Sequence, residues 1–201
     1  MSEKFEEGSL KKEEIISKAS LQVQSRNQNL LLIFTRNPEL GKAKTRLAKT
    51  VGDETALEIY KFLLHRTKEI SLKVNADKAV YYSVKVREND IWDAKIYQKY
   101  QQKGEDLGVR MLNAFKNGFK AGYEKIIIIG SDLYDLSPEN IDNAFYQLDK
   151  NEVVIGPALD GGYYLLGMKK LHPKVFLNKN WGSATVKTDT LQDLIYQQVK
   201  L

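Results

Sequence analysis

Short apolar runs alternate with amphipathic stretches along most of the chain. Unbroken apolar runs predict strands covered on both faces, because such strands need apolar side chains on both sides. The predicted strands are residues 30–34, 79–84, 126–129 and 153–155. Two weaker candidates are residues 96–100 and 163–168. Between them, apolar residues recur at spacings of three and four, which is typical of helices with one buried face. The predicted helices are residues 44–50, 53–70, 107–118, 137–148 and 187–199, with Asp53 as the cap of the second.

This alternation predicts a three-layer α/β/α domain with a mainly parallel sheet. In such sheets, ligands bind outside the carboxyl ends of the strands, so the candidate chemistry is sought there. We expect this domain to cover residues 29–201. Residues 1–28 are polar and predict an N-terminal extension, in which residues 10–23 fit an amphipathic helix.

The composition excludes several classes of function but does not identify one. The chain has 201 residues and no cysteine, which excludes disulfides, thiolate metal sites and cysteine nucleophiles. No apolar run reaches the ~20 residues of a membrane span, so we expect a cytoplasmic protein. The net charge of +5 fits an anionic small ligand. It fits nucleic acid equally well, but the bases outside one loop are scattered, with no aromatic-basic stripe, so nucleic acid is not an expected partner.

That loop follows the first predicted strand and is rich in bases. A helix that starts at Lys44 points its first N–H groups at the loop, and Gly41 allows a bend. Together these features predict a phosphate site, although the segment also fits a solvated basic turn. It is not a P-loop, because that motif needs glycine at position 36. The predicted nucleotide contacts are Arg36, Lys42, Lys44 and Arg46.

Aspartates follow two other predicted strands. The segment Gly130-Ser131-Asp132 comes directly after four isoleucines, and its carboxylate suits Mg²⁺ or Mn²⁺ bridging a diphosphate. In Asp160-Gly161-Gly162, the glycines permit a tight turn and a close approach of backbone to a ligand. Each segment also fits an ordinary turn. We predict Asp132 and Asp160 as catalytic residues, Asp132 as the metal ligand, and Ser131, Gly161 and Gly162 as nucleotide contacts.

The order of these blocks resembles a bacterial family. The matching segments are residues 36–48 (with Lys-x-Lys-Thr-Arg-Leu), 130–132 and 154–167 (with Asp-Gly-Gly-Tyr), followed by Trp181 and Thr185. Over about residues 29–195, the chain resembles the glycosyltransferase-A-like family of radical-SAM/selenodomain-associated transferases. It is also similar to 2-phospholactate guanylyltransferase. The resemblance implies a nucleotide-diphospho-sugar transferase fold, a divalent metal near Asp132, and phosphate contacts from the loop bases.

The chain departs from the family pattern at two places. The family usually reads Gly-Ser-Asp-Cys-Pro after the central strand, whereas Leu133-Tyr134 follow Asp132 here. Family members also usually continue past the last helix into an acidic Asp-x-Asp-Thr segment, which we do not find. If that segment supplies a metal ligand, we expect weaker metal binding or a ligand from Asp160.

Three functions stay open at this point. The first is a glycosyltransferase that moves a sugar from a nucleotide donor to a small-molecule acceptor, with Asp160 as base if the reaction inverts. The second is a nucleotidyltransferase, in which a phosphorylated small molecule attacks a nucleoside triphosphate and pyrophosphate leaves. The third is a degenerate protein that only binds a nucleotide or a partner.

Overall fold

The computed structural model describes residues 27–201, so the predicted helix at 10–23 lies outside the described residues. The domain boundary stays a prediction, although the first described strand begins at Asn29. The strands are β1 (Asn29–Thr35), β2 (Asp77–Tyr82), β3 (Tyr97–Gln101), β4 (Lys125–Gly130), β5 (Val153–Pro157) and β6 (Tyr163–Met168). The helices are α1 (Thr45–Val51), α2 (Asp53–Lys73), α3 (Leu107–Lys120), α4 (Pro138–Lys150) and α5 (Val186–Tyr196), with a short 3₁₀ helix at Pro173–Phe176.

The strands form one sheet in the order β3-β2-β1-β4-β6-β5. β1 to β4 are mutually parallel, and β6 is antiparallel to both β4 and β5. The reversal at β6 follows from its short connection to β5, because a parallel neighbour needs a crossover of a dozen residues or more. The β5–β6 turn therefore lies at the same edge as the carboxyl ends of β1 and β4, which places Asp160 beside Asp132.

Helices cover both faces of the sheet, as the apolar runs predict. Along β4, Ile127 and Ile129 are buried in a core that α2 and α4 share. Ile126 and Ile128 point to the opposite face and pack with α3, α5 and the 3₁₀ helix. Successive side chains of a strand alternate between faces, so a strand at the centre of two cores must be apolar throughout. The three-layer α/β/α prediction is confirmed.

Several predicted helix ends differ from the structure. Asp53 is the first residue of α2 and not its cap; Gly52, at φ 83°, takes that position and makes no side-chain hydrogen bond. A glycine suits this point because the backbone between α1 and α2 has a positive φ here, which glycine adopts without a steric penalty. The first helix begins at Thr45, one residue later than predicted, and the last ends at Tyr196. None of the helices in the described part is long and apolar enough to cross a membrane.

The start of α3 packs closely against the segment after the 3₁₀ helix. A Cβ added at Gly108 would lie 2.0 Å from the Phe176 carbonyl oxygen and 2.6 Å from Trp181 Nε1. Added volume at such a contact has no flexible neighbour to displace, because one of the two atoms is backbone. Gly108 therefore allows the contact that holds Trp181 near the ligand edge of the sheet.

We expect Gly108→Ala to destabilise the protein by about 1–3 kcal/mol through overpacking. In an ordinary helix interior the same change would stabilise by about 0.5–1 kcal/mol, so the sign is diagnostic. Gly118→Ala in the same helix is the matched control, because its Cβ would meet side-chain ends, 2.6 Å from Ile126 Cδ1 and 2.9 Å from Leu30 Cδ2. Urea denaturation should rank Gly108→Ala below Gly118→Ala; the reverse order would contradict the tight contact.

Candidate functional site

A buried group of hydroxyls joins the ends of β1 and β4. The Tyr60 hydroxyl donates to the Arg36 carbonyl oxygen (3.1 Å) and accepts from the Arg36 N–H (2.9 Å). It also lies 3.2 Å from Ser131 Oγ, which donates to Thr35 Oγ1 at 3.0 Å. Ser131 is only 3% exposed, so its hydroxyl faces this interior group. The structure thus gives Ser131 a positioning role, and its predicted contact with a nucleotide has no support from this geometry.

Asn37 anchors the basic loop to the chain that leaves β2. Its Nδ2 donates to the Lys85 carbonyl oxygen at 2.9 Å. Its Oδ1 accepts from the backbone N–H groups of Val84 (3.1 Å) and Lys85 (3.3 Å). Sequence reasoning missed both Asn37 and Tyr60. The available signals were an asparagine directly after a buried strand and a tyrosine on the buried face of a predicted helix, and neither is specific without the fold.

Lys44 and Asp132 form an ion pair that links two of the predicted site segments. Lys44 Nζ lies 2.6 Å from Asp132 Oδ2, and both side chains are partly exposed. Lys44 has φ 49° and ψ 44°, a left-handed conformation that lysine rarely adopts. Backbone strain of this kind costs on the order of 1–3 kcal/mol and clusters at functional sites. The structure brings a predicted phosphate ligand and the predicted metal ligand into direct contact.

The other bases of the loop lie at the surface. Lys42 Nζ pairs with Glu39 Oε2 at 3.0 Å, and Arg87 lies 3.7 Å from the same carboxylate. The hydrogen bond and charge of Lys42 hold the Glu39 pKa below its ordinary value. Arg36 and Arg46 are exposed. Because α1 has only seven residues, attraction of a phosphate to this loop depends on the side chains more than on the helix.

The Asp160 turn packs against the chain that enters α5. Asp160 Oδ1 accepts from the Gly162 N–H at 3.0 Å, and the Gly161 carbonyl accepts from the Lys187 N–H at 3.0 Å. Gly161 has φ 86°, and a Cβ there would lie 2.1 Å from the Ala184 carbonyl oxygen. The close approach that Gly161 permits is therefore to this protein segment, where the sequence predicted an approach to a ligand. Asp160 itself is exposed at the edge of the sheet.

The loop with Leu133 and Tyr134, where the sequence departs from the family pattern, packs against α2. Arg66 Nε donates to the Tyr134 carbonyl oxygen, and the guanidinium lies 5.0 Å from the centre of the Tyr134 ring. The Phe62 ring lies 6.3 Å from the same ring. These contacts hold the loop after Asp132 against the helix, while Leu133 turns inward against the core.

A cavity of about 350 Å³ opens at the carboxyl end of β4, beside β6. Its walls are mainly apolar and come from strand ends and from the first turns of α3 and α5. Trp181 forms part of the wall, and its ring meets Tyr163 edge to face at 6.5 Å. Burial raises the pKa of Tyr163 above its ordinary value, so this phenol stays protonated. The side chains that line the cavity include Phe34, Leu107, Met111, Leu133, Asp160, Tyr163, Trp181, Ser183 and Val186.

The carboxylates at this edge do not form a complete metal site by themselves. Among residues 27–201, there is no group of three or more histidine, cysteine, aspartate or glutamate side chains placed to hold a metal ion. Mg²⁺, however, is commonly held by one or two carboxylates together with substrate phosphates and water. Asp132 fits that arrangement. Asp189 lies in α5, where its Oδ2 accepts a hydrogen bond from the Thr185 hydroxyl at 2.9 Å.

The histidines lie elsewhere, as the sequence suggests. His65 is exposed on α2. His172 is buried, with Nε2 3.4 Å from Glu152 Oε2. Burial lowers the His172 pKa, which keeps its imidazole neutral, and nothing connects it to the ligand edge.

The sheet order and the polar groups at its carboxyl edge define an α/β protein with the nucleotide-diphospho-sugar transferase-like fold. Residues 66–183 match the bacterial family described as "Uncharacterized protein conserved in bacteria (DUF2064)", and the chain belongs to that family. The association with radical-SAM proteins and the similarity to 2-phospholactate guanylyltransferase stay predictions from the sequence.

Solved structures share this fold. A protein from Desulfovibrio desulfuricans G20, described provisionally as a nucleotide-diphospho-sugar transferase, is 30% identical, with 87% of this chain and 78% of that chain covered and a TM-score of 0.79. The 4-diphosphocytidyl-2C-methyl-D-erythritol synthase of Anaerococcus prevotii DSM 20548 is 12% identical, with coverages of 86% and 84% and a TM-score of 0.51. Rv0371c from Mycobacterium tuberculosis H37Rv is 10% identical, with 78% of each chain covered and a TM-score of 0.51. The last two show the fold alone. No curated protein matches the sequence.

We expect Tyr60→Phe to destabilise the protein by about 1–3 kcal/mol, because it leaves buried partners on β1 and β4 without their hydrogen bonds. Tyr146→Phe is the matched control, since Tyr146 is exposed on α4 and its ring is retained. Its effect should stay within about 0.5 kcal/mol. Urea denaturation measures both. Equal effects of the two changes would show that the hydroxyl group does not hold the strand ends together.

Proposed function

We propose that this protein is a glycosyltransferase that uses a nucleoside-diphosphate sugar and a divalent metal ion, Mg²⁺ or Mn²⁺, to modify a small-molecule acceptor. The observation that carries the proposal is the Lys44–Asp132 ion pair at the carboxyl ends of β1 and β4. It combines a phosphate-binding cation with a metal-binding carboxylate at the edge where such sheets bind ligands. The description of the Desulfovibrio relative supports the same substrate class.

The ion pair holds both groups ready for exchange. In the donor complex, Lys44 would contact a phosphate oxygen and Asp132 would hold the metal ion. Lys42, Arg36 and Arg46 add charge around the diphosphate. The metal ion, when bound, neutralises charge on the leaving diphosphate. The carboxylate thus keeps a charged partner in both states, because one cation replaces another.

Asp160 is the proposed base on the acceptor side. Its Oδ1 is held by the Gly162 N–H, which fixes the orientation of the carboxylate. In an inverting transfer, the acceptor hydroxyl attacks the anomeric carbon as the bond to the diphosphate breaks, and Asp160 Oδ2 takes the hydroxyl proton. The products are the glycosylated acceptor and the nucleoside diphosphate.

A nucleotidyltransferase is the second candidate. It is favoured by the excess of bases in the loop after β1, where Lys42 and Arg46 are exposed, because a triphosphate carries more negative charge than a diphosphate. In that reaction a phosphorylated small molecule attacks the α-phosphate and pyrophosphate leaves. A third candidate is a protein that only binds the nucleotide. It is favoured by the absence of a group of three metal-binding side chains among the described residues.

Thermal unfolding should separate these candidates. In Mn²⁺, we measure the melting temperature with UDP, GDP and CDP, with their sugars, and with the triphosphates. A ligand at ~100 times its dissociation constant adds about 2.7 kcal/mol, which corresponds to roughly 5–10 °C for a chain of this size. We expect a metal-dependent rise with one nucleotide sugar. A larger rise with a triphosphate would favour the nucleotidyltransferase.

Asp132→Asn should abolish the metal-dependent rise without harming the fold, because a partly exposed ion pair contributes only ~0–1 kcal/mol. Asp149→Asn is the matched control and should keep the rise, since Asp149 forms an ion pair with Lys125 at the opposite end of β4. If the substituted and native chains respond alike, Asp132 is not the metal ligand. If no nucleotide raises the melting temperature of the native chain, the proposed function is wrong.

The role of Lys44 has a separate test. Lys44→Gln should weaken nucleotide binding about 10- to 100-fold, because a hydrogen bond to a charged group contributes about 1.5–3 kcal/mol. Lys49→Gln, an exposed base in the last turn of α1, is the control and should change affinity much less. Calorimetric titration at fixed ionic strength measures both. Similar losses at the two positions would indicate general charge attraction and no specific phosphate contact.

A further inference from the structure

The cavity at the end of β4 differs chemically from the basic loop. Its volume of about 350 Å³ falls within the range of small-molecule sites. Phe34, Leu107, Met111 and Val186 present apolar side chains to it, and Trp181 presents an aromatic one. No lysine or arginine stands among the described residues that line it. A diphosphate would find no counter-charge inside this cavity.

The basic loop lies against one core of the sheet, whereas the cavity opens at the edge of the sheet and takes side chains from both cores. Ala43, in the loop, is buried with the core of α2 and α4. Phe34 and Trp181, in the cavity wall, pack with the core of α3 and α5. Asp132 connects the two regions, because it pairs with Lys44 while Gly130 and Leu133, close to it in the chain, line the cavity.

The cavity also reaches the proposed base. Asp160 lines it directly, together with Gly162 and Ser183. A molecule with an apolar body in the cavity therefore places a polar end at Asp160, next to the segment that holds Asp132. A sugar suits the apolar part of the cavity, around Phe34, Met111 and Val186, less well, because its hydroxyls would lose water there without gaining a polar partner.

We propose that the cavity binds the apolar group of the acceptor, so that the acceptor is an amphipathic molecule with an alkyl or aromatic body and a nucleophilic hydroxyl at one end. This assignment rests on the proposed transfer function for the meaning of "acceptor". Binding of the apolar body is independent of it, because the walls that would hold this body are side chains of this chain.

The test uses straight-chain alcohols from butanol to octanol as probes of the native chain. Each added methylene should tighten the dissociation constant about fourfold until the cavity is full, as burial of one methylene predicts. The chain has two tryptophans, so its ¹H–¹⁵N spectrum shows two indole signals. The Trp181 signal should shift on titration, while that of Trp92, which is buried in the other core, should stay unchanged. An affinity that does not depend on chain length, or an unshifted Trp181 signal, would overturn the proposal.

Two variants locate the binding. Leu107 lines the cavity and is 42% exposed, so Leu107→Asn should keep the fold and weaken octanol binding about tenfold. Leu72 is 43% exposed on α2, and Leu72→Asn is the matched control, with no effect expected. Equal weakening by both, or by neither, would overturn the assignment to this cavity.

Nucleotide experiments separate this proposal from the transfer function. With Mg²⁺ and the nucleotide found by thermal unfolding already bound, octanol should bind with unchanged or tighter affinity, because the two ligands occupy different regions. Competition between octanol and an unphosphorylated nucleoside for the Trp181 signal would overturn the proposal and make the cavity a base site. If alcohols bind at Trp181 and no nucleotide binds, the apolar site stands and the transfer function fails. If a nucleotide binds and alcohols do not, the proposed apolar site is wrong and the transfer function stands.

Discussion

The parallel pairing of β1 with β4 is the constraint on which the rest of the structure depends. Leu30 to Phe34 lie in register with Ile126 to Gly130, and both strands are buried on both faces. Parallel neighbours end at the same edge, so the loop with Lys44 and the loop with Asp132 must leave the sheet side by side. The Tyr60 hydroxyl then fixes the two exits relative to each other. Burial of the apolar side chains of β1 and β4 thus brings the two polar loops together, and a few buried hydrogen bonds fix the positions of these loops relative to each other.

Charge at this edge is arranged so that it stays paired. Exposed ion pairs contribute little to stability, and the strained backbone of Lys44 costs more than its contact with Asp132 returns. Stability alone therefore does not account for a lysine in a left-handed conformation at this point. The proposed function gives this position a role in binding, because it places the ammonium group between the carboxylate and the phosphate of the donor. The strain would then hold the ammonium group in place, so that only its partner changes when the donor binds.

The elements that the sequence predicts well are those decided by local pattern. The apolar runs of β1 and β4 predict buried strands because any other placement would expose them, and the three-layer arrangement follows. The helix cap at Asp53 was wrong because Gly52 satisfies a backbone requirement that side-chain patterns do not show. The positioning roles of Tyr60 and Asn37 depend on partners 24 and 47–48 residues away, which a local pattern cannot contain. The sequence predicted that Gly161 allows a close approach to a ligand; in the structure Gly161 lies close to the Ala184 backbone, and only tertiary structure identifies that neighbour.

The separation of the cavity from the basic loop links the fold to the proposed chemistry. Helices cover both faces of β4, so the groups around its carboxyl end come from two different layers of the fold. The α2 side contributes Lys44 and the hydroxyl group of Tyr60, whereas the α3 and α5 side contributes apolar walls around Trp181. A group transfer needs a polar donor and an acceptor to meet at one point while each is held by matching surroundings. In the proposed transfer, the group would pass from a donor held near Lys44 and Asp132 to an acceptor held in the cavity that Asp160 lines.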